Sequence, residues 1–277
     1  MYDLKGKAAL VTGAGKKTGI GFAVAEKLAA SGASVVIADL GGQPAQGGEV
    51  RTGTRAEMDA IAEDLAGRHG VRTLAVDLDV TSADSITAMM DRVREGFERV
   101  DVLVNNAGAT FGVPNAVHTY DEAAWMKTID VNLHGVFRVT RAVMPMMAGG
   151  PGSVVNVASR AGKVPPLFNG AYAVAKAGVI MMTKVMAREL AGQGIRVNAV
   201  CPGQISTDLE AWRFDLEARF LGTTAEARKA EMVGTIPLGR MGAPAEVADV
   251  IVFLASDAAS YMTGQAVNIT GGQLMEL

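Results

Sequence analysis

The sequence predicts an α/β fold, a single doubly wound parallel sheet with helices on both faces. Three observations carry this. Short β-branched runs alternate with helix-period stretches along nearly the whole chain. Glycines cluster between the first of these runs and the first helix, in VTGAGKKTGIG. The 277 residues are 49% hydrophobic and 20% charged, enough apolar material for one large core.

The elements follow in order. Residues 8–12 form the first strand, and a helix spans about 19–30 with Gly32 as its C-cap. Residues 34–40 are the second strand. The low-complexity stretch GGQPAQGGEVRTGT, residues 41–54, reads as an inserted loop. Residues 73–80 and 100–105 are further strands. Thr119 to Glu122 has capping-box spacing and opens a long helical stretch to about Met147, which GGPGS ends. Residues 154–158 form the next strand, 172–192 a helix, 194–201 a strand and 266–270 the last strand. Between these, residues 204–240 read as an irregular region rich in charges and aromatics.

Charge and cysteine usage narrow the function. The net charge is −3 and no Lys/Arg-rich run occurs, which argues against a nucleic-acid or anionic-membrane partner. A lone cysteine, Cys201, allows no intrachain disulfide and suits a reducing, cytoplasmic setting. The N-terminal stretch lacks the long apolar region of a signal peptide, and no apolar run is long enough to span a bilayer. His69, His118 and His134 have no ligand spacing with one another or with Cys201, so no metal site is expected and zinc-dependent alcohol chemistry is disfavoured.

The glycine cluster has a specific physical use. Glycines allow a tight turn and close backbone approach, and the helix N-terminus behind them offers free N–H groups to a pyrophosphate. Asp39, at the end of the second strand, supplies a carboxylate for ribose hydroxyls and repels a 2′-phosphate, favouring NAD over NADP. Lys16 and Lys17 pull the other way.

Taken in order, the motifs identify a resemblance. Thr12, Gly13, Gly19 and Gly21 match a TGxxxGxG pattern, Asp79-Val80 an acidic-hydrophobic adenine contact, Asn105-Asn106-Ala107-Gly108 an NNAG motif, and Tyr172 with Lys176 a YxxxK pair. From about Leu4 to Gly272 the chain resembles the short-chain dehydrogenase/reductases of about 250 residues. That resemblance implies a Rossmann-type sheet and one dinucleotide-binding and catalytic domain over residues 1–277. It implies cofactor contacts from Gly13, Gly19, Ile20, Gly21, Asp39, Asp79, Val80, Asn106, Gly108, Tyr172, Lys176, Pro202, Gly203, Ile205 and Thr207. It also implies a catalytic set of Asn132, Ser159, Tyr172 and Lys176, and a homotetramer. Two departures stand out. Five residues, AGKKT, separate the glycines where the family has three, and the 41–54 insert lengthens the span between Asp39 and Asp79, near the adenosine end of the cofactor.

The chemistry of the pair can be argued from charge. Residues i and i+4 share a helix face, so the Lys176 ammonium can act on the Tyr172 phenol. Lowering a phenol from a pKa of about 10 to about 7 needs roughly 4 kcal/mol, which one ammonium some 4 Å away supplies at an effective dielectric near 20. By the resemblance, Ser159 bonds the reacting oxygen, Asn132 holds a water linking the lysine to solvent, and Thr207 meets the nicotinamide carboxamide. The expected reaction interconverts a secondary alcohol and its ketone. The long 204–240 stretch resembles the substrate lid of sugar-alcohol and vicinal-diol dehydrogenases, which favours a polyol or diol. Phe111, Val164, Pro165, Phe168, Trp212 and Phe214 support the rival, a cyclic or aromatic alcohol, and the insert resembles that of relatives with tightly held NAD. Asp39 opposes an NADPH-dependent acyl-carrier reductase, and the complete catalytic set opposes an inactive nucleotide-sensing regulator.

Overall fold

The computed structural model describes residues 2–42 and 52–276. Seven parallel strands form one sheet: β1 (Ala8–Thr12), β2 (Ser34–Asp39), β3 (Thr73–Asp77), β4 (Val102–Asn105), β5 (Gly152–Val157), β6 (Ile195–Pro202) and β7 (Ala266–Ile269), in the order β3-β2-β1-β4-β5-β6-β7. β1 pairs with both β2 and β4, so the winding direction reverses between β1 and β4. A crevice opens there, beyond the carboxyl ends of the strands, where such sheets bind ligands.

Successive side chains of a strand face opposite sides, so each buried strand feeds two cores. Ala9 and Val11 pack with Val24 and Leu28 of α1 (Ile20–Ala30), Ile61 and Leu65 of α2 (Arg55–His69), and Ile251 of α9 (Pro244–Ala255). Leu10 packs on the other face with Met89 and Val93 of α3 (Ala83–Gly96) and Val139 and Val143 of α5 (Gly135–Met147). β6 also receives α6 (Gly170–Leu190), whose Val179 and Ile180 cluster with Ala199 and Cys201.

Several sequence expectations need correction. The helix expected from Thr119 begins later, as α4 (Glu122–Ile129). Asp121 caps it by accepting from the Ala124 N–H at 2.8 Å, whereas Thr119 lies in a 3₁₀ turn and turns its hydroxyl to Ala116. A carboxylate caps better than a threonine and also meets the helix dipole. A π-turn, Asp130–His134, then separates α4 from α5. Ser31 rather than Gly32 is the C-cap of α1, and Gly32 follows at φ +90°. The 204–240 stretch is mostly helical, forming α7 (Asp208–Leu221) and α8 (Ala225–Gly234), each capped by a threonine, Thr207 and Thr224. The third strand stops at Asp77, so Asp79 and Val80 sit on the loop beyond it. Of the 41–54 insert, residues 43–51 lie outside the described residues.

Candidate active site

A cavity of about 510 Å³ runs along the crevice from Asp39 to Tyr172. Its floor is the loop after β1. Gly13, at φ +67°, turns the chain, and its N–H donates to Ala38. Asn106 braces the turn by donating to the carbonyls of Thr12 and Gly13, both at 2.9 Å, while the Thr12 hydroxyl accepts from the Asn106 and Ala107 N–H groups. A side chain at Gly21 would collide with the Gly13 carbonyl, so only glycine lets α1 approach this turn. Gly19 precedes α1 with no side chain capping the helix. Its leading N–H groups therefore offer an anion site of the kind a diphosphate fills.

The longer glycine loop reaches in two directions. At one end the Gly15 N–H donates to Asp39 at 2.8 Å, and Leu40 donates to the other carboxylate oxygen, also at 2.8 Å. Burial still holds the Asp39 carboxyl above its ordinary range, against those two hydrogen bonds. Thr52 and Gly53, from the end of the insert, line the cavity beside Asp39. At its other end, Thr18 donates to Asp208 at 3.0 Å and Lys16 forms an ion pair with the same carboxylate, tying the loop to the first turn of α7. Further along, Asp79 accepts from the Thr81 N–H at 2.8 Å and hydroxyl at 2.6 Å.

Tyr172 and Lys176 project from the start of α6. Tyr172 shares a hydrogen bond with Ser159, which leads from β5 into a short turn and also accepts from the Ala161 N–H at 3.1 Å. Lys176 is only 3% exposed. It donates to the Val157 carbonyl at 2.9 Å, and its ammonium stands 5.5 Å from the Tyr172 ring centroid. Burial depresses the lysine to about 8. For Tyr172 burial also dominates and pushes the phenol up, with the Ser159 hydrogen bond pulling it down, Glu210 pushing it up and Arg213 pulling it down. The simple ammonium–phenol attraction expected from sequence is thus not the leading influence on the phenol. Desolvation exceeds it, and the nearest relief is a hydroxyl.

Asn132 sits in the π-turn, which carries an extra residue and aims this side chain inward. Its amide donates to the carbonyls of Ala109 at 2.5 Å and Thr128 at 2.8 Å, while its buried oxygen has no partner among the described residues. A side chain at Gly108 would strike that oxygen.

Of the expected residues, Gly13, Gly19, Ile20, Asp39, Asp79, Val80, Asn106, Gly108, Tyr172, Lys176 and Thr207 line the cavity. Gly21, Pro202, Gly203 and Ile205 are not on its lining, and neither are Asn132 and Ser159, which stand next to residues that are. Sequence reasoning missed Lys127, which lines the cavity with its ammonium 4.6 Å from the Phe111 ring centroid. It also missed a buried relay beneath the site. Asn105 donates to Thr140 at 3.0 Å and Asn156 at 2.9 Å, and Asn156 donates to Thr183 at 2.9 Å. Polar residues inside otherwise apolar strands were the available signal. Among the described residues no cluster of three His, Cys, Asp or Glu could hold a metal ion.

Comparison with known proteins matches this geometry to a family. A family model described as enoyl-(acyl carrier protein) reductase matches residues 13–273. A 3-oxoacyl-[acyl-carrier-protein] reductase from Thermotoga maritima is 40% identical over 270 residues, 97% of this chain and 98% of the relative. A cis-4-hydroxycyclohexanecarboxylate dehydrogenase from Sinomonas cyclohexanicum is 42% identical over 268 residues, 96% of each chain. The solved carveol dehydrogenase from Mycobacterium avium in complex with NAD superposes with a TM-score of 0.91 at 29% identity, covering 100% of both chains. The chain belongs to the short-chain dehydrogenase/reductase family and is an oxidoreductase acting on CH–OH groups.

Proposed function

We propose that this protein is an NAD-dependent dehydrogenase of secondary alcohols whose preferred substrate carries its hydroxyl on an apolar, cyclic framework. One observation carries the reading: the hydrogen-bonded Tyr172 and Ser159, with buried Lys176 one turn on, stand at one end of a cavity whose other end carries Asp39.

The residues present fit a dinucleotide. Gly13, Gly19, Ile20 and Gly21 cradle its diphosphate, Asp39 its adenosine ribose, Asp79 and Val80 its adenine, and Asn106, Gly108 and Thr207 the path to the nicotinamide, with Pro202, Gly203 and Ile205 setting the loop that carries Thr207. When bound, the nicotinamide supplies the hydride acceptor. The chain's own residues do the rest. Ser159 holds the substrate oxygen. Tyr172 takes the hydroxyl proton at its phenolic oxygen. Lys176 stabilises the phenolate and binds the nicotinamide ribose. The partnerless Asn132 oxygen accepts from a water that carries the proton onward from Lys176.

Asp39 supports NAD over NADP, because a 2′-phosphate would meet a second negative charge. That charge also weighs against NADPH-dependent acyl-carrier reduction. For the substrate, Phe111, Leu209 and Trp212 give the cavity an apolar wall. A polyol is the second reading. It is favoured by Gln204, Glu210 and Arg213, which form a half-buried polar cluster on the lid near Tyr172. Residues 204–240 act as the lid in either case.

A panel of cyclic alcohols, including cis-4-hydroxycyclohexanecarboxylate, and of polyols, assayed with NAD and NADP by nicotinamide absorbance, tests the reading. Cyclic alcohols with NAD should lead by more than tenfold in kcat/KM. A lead for polyols selects the second reading, and a lead for NADP refutes the role given to Asp39.

A further inference from the structure

Ser159 is followed by Arg160, which opens the short turn Arg160–Gly162 that Ser159 caps. Arg160 is half-buried, yet among the described residues its guanidinium forms no hydrogen bond and no ion pair. Its lid neighbours differ. Arg213 donates to Glu210 at 2.5 Å and to Gln204 at 2.6 Å, and Arg228 pairs with Glu217 and Glu231, both at 2.7 Å. Two charged groups act on Arg160: Arg213, which repels it, and Glu210, which attracts it. Glu210 is already the direct partner of Arg213, and burial lifts it to about 7. Glu210 and Arg213 also both act on the Tyr172 phenol. Arg213 also lies 3.6 Å from Glu217, so Glu210, Glu217 and Glu231 are taken up by Arg213 and Arg228, and Arg160 is the guanidinium of this group left without a direct partner among the described residues.

A half-buried cation without a partner is costly, and a guanidinium is shaped for two parallel hydrogen bonds to a planar anion. We propose that Arg160 is a specificity-determining residue that binds a carboxylate on the substrate, so that hydroxy acids and their oxo acids are preferred over neutral alcohols. This rests on the reading of Tyr172 and Ser159 as the reacting end. The carboxylate completes the ion pairing that Glu210 leaves unfinished. It also fixes the substrate in two places, at the carbinol by Ser159 and Tyr172 and at the acid by Arg160. A neutral polyol would leave Arg160 desolvated and unpaired.

The test compares 4-hydroxycyclohexanecarboxylate with its carboxamide, which keeps the ring and carbinol and removes the charge, in wild type and Arg160→Gln at saturating NAD. A second arm titrates cyclohexanecarboxylate into the NAD-loaded protein by calorimetry, which needs no turnover. Wild type should favour the acid at least tenfold in kcat/KM. Arg160→Gln should remove that advantage mainly through KM, leave the carboxamide within about twofold, and weaken cyclohexanecarboxylate binding at least tenfold, with Arg160→Lys between the two. Equal use of acid and amide by wild type overturns the inference. So does a proportional loss on both in Arg160→Gln, or unchanged carboxylate binding. If neutral secondary alcohols are oxidised without an advantage for acids, the dehydrogenase reading survives and only this inference falls. If no secondary alcohol reduces NAD, the reading beneath it falls as well.

Discussion

Lys176 shows what the site costs the fold. An ammonium held at about 8 inside the protein, against about 10.5 when the chain is unfolded, disfavours the charged folded state at neutral pH. Between those two values the unfolded chain binds more protons, so stability should rise with pH across that window. At ~1.4 kcal/mol per pKa unit the gain totals roughly 3 kcal/mol. Denaturant midpoints measured from pH 7 to 10 should climb for wild type and lose that slope in Lys176→Met, which should also lose turnover. A slope unchanged by the substitution would mean that the lysine is not charged and buried as described. Under the proposed role, the residue would serve chemistry at the expense of stability, as functional sites often do.

At the scale of elements, the two-residue lengthening of the glycine loop gains a reason. Gly15 reaches Asp39, while Lys16 and Thr18 reach Asp208 at the start of α7, so one loop touches both the carboxylate proposed for the ribose and the proposed substrate lid. Asp208→Ala should loosen the lid without disturbing the sheet. Amides of α7 should exchange with solvent at least tenfold faster by hydrogen-exchange mass spectrometry, and those of α9 should not change. Equal protection in both proteins would show that α7 is held by its packing alone, through Phe214 and Ala218.

The same scale shows what the sequence could and could not reveal. All seven strands were legible, most of them because buried parallel strands are nearly continuous apolar runs, as in Leu10-Val11 and Val35-Val36-Ile37, although the expected third strand ran three residues too far. Their order was legible only through the motifs, since periodicity says nothing about neighbours. Tyr172 and Lys176 were legible because both sit on one helix face at fixed spacing. Asn132 was legible by motif, but not the π-turn that aims it, since no composition rule marks an extra residue in a helix. The lid helices were missed because their apolar faces are weak, although Thr207 and Glu210 carried a cap signal. The weight of burial on Tyr172 could not be read at all. It depends on Ser159, Glu210, Arg213 and Cys201, drawn from three separate parts of the chain.

For the whole molecule, an apolar surface remains to be accounted for. Met126 of α4, Phe137 of α5, and Val174, Met181 and Val185 of α6 are all exposed, and the last three share one face of α6. Similar helices are expected to pair subunits, so the protein should sediment as a tetramer at micromolar concentration. Met181→Glu combined with Val185→Glu should lower the mass to that of a smaller species. A wild-type monomer would leave those side chains without the role given to them.

The central claim is that Tyr172 is the group that takes the proton in a site otherwise built for binding. Tyr172→Phe, which deletes one oxygen atom, tests it most directly. Removing a general base costs on the order of 10²–10⁴ in rate. The account therefore predicts NAD affinity within about threefold of wild type by calorimetry, an unchanged fold, and turnover lower by at least a hundredfold at every pH. A folded Tyr172→Phe enzyme that binds NAD and retains most of its turnover would contradict it.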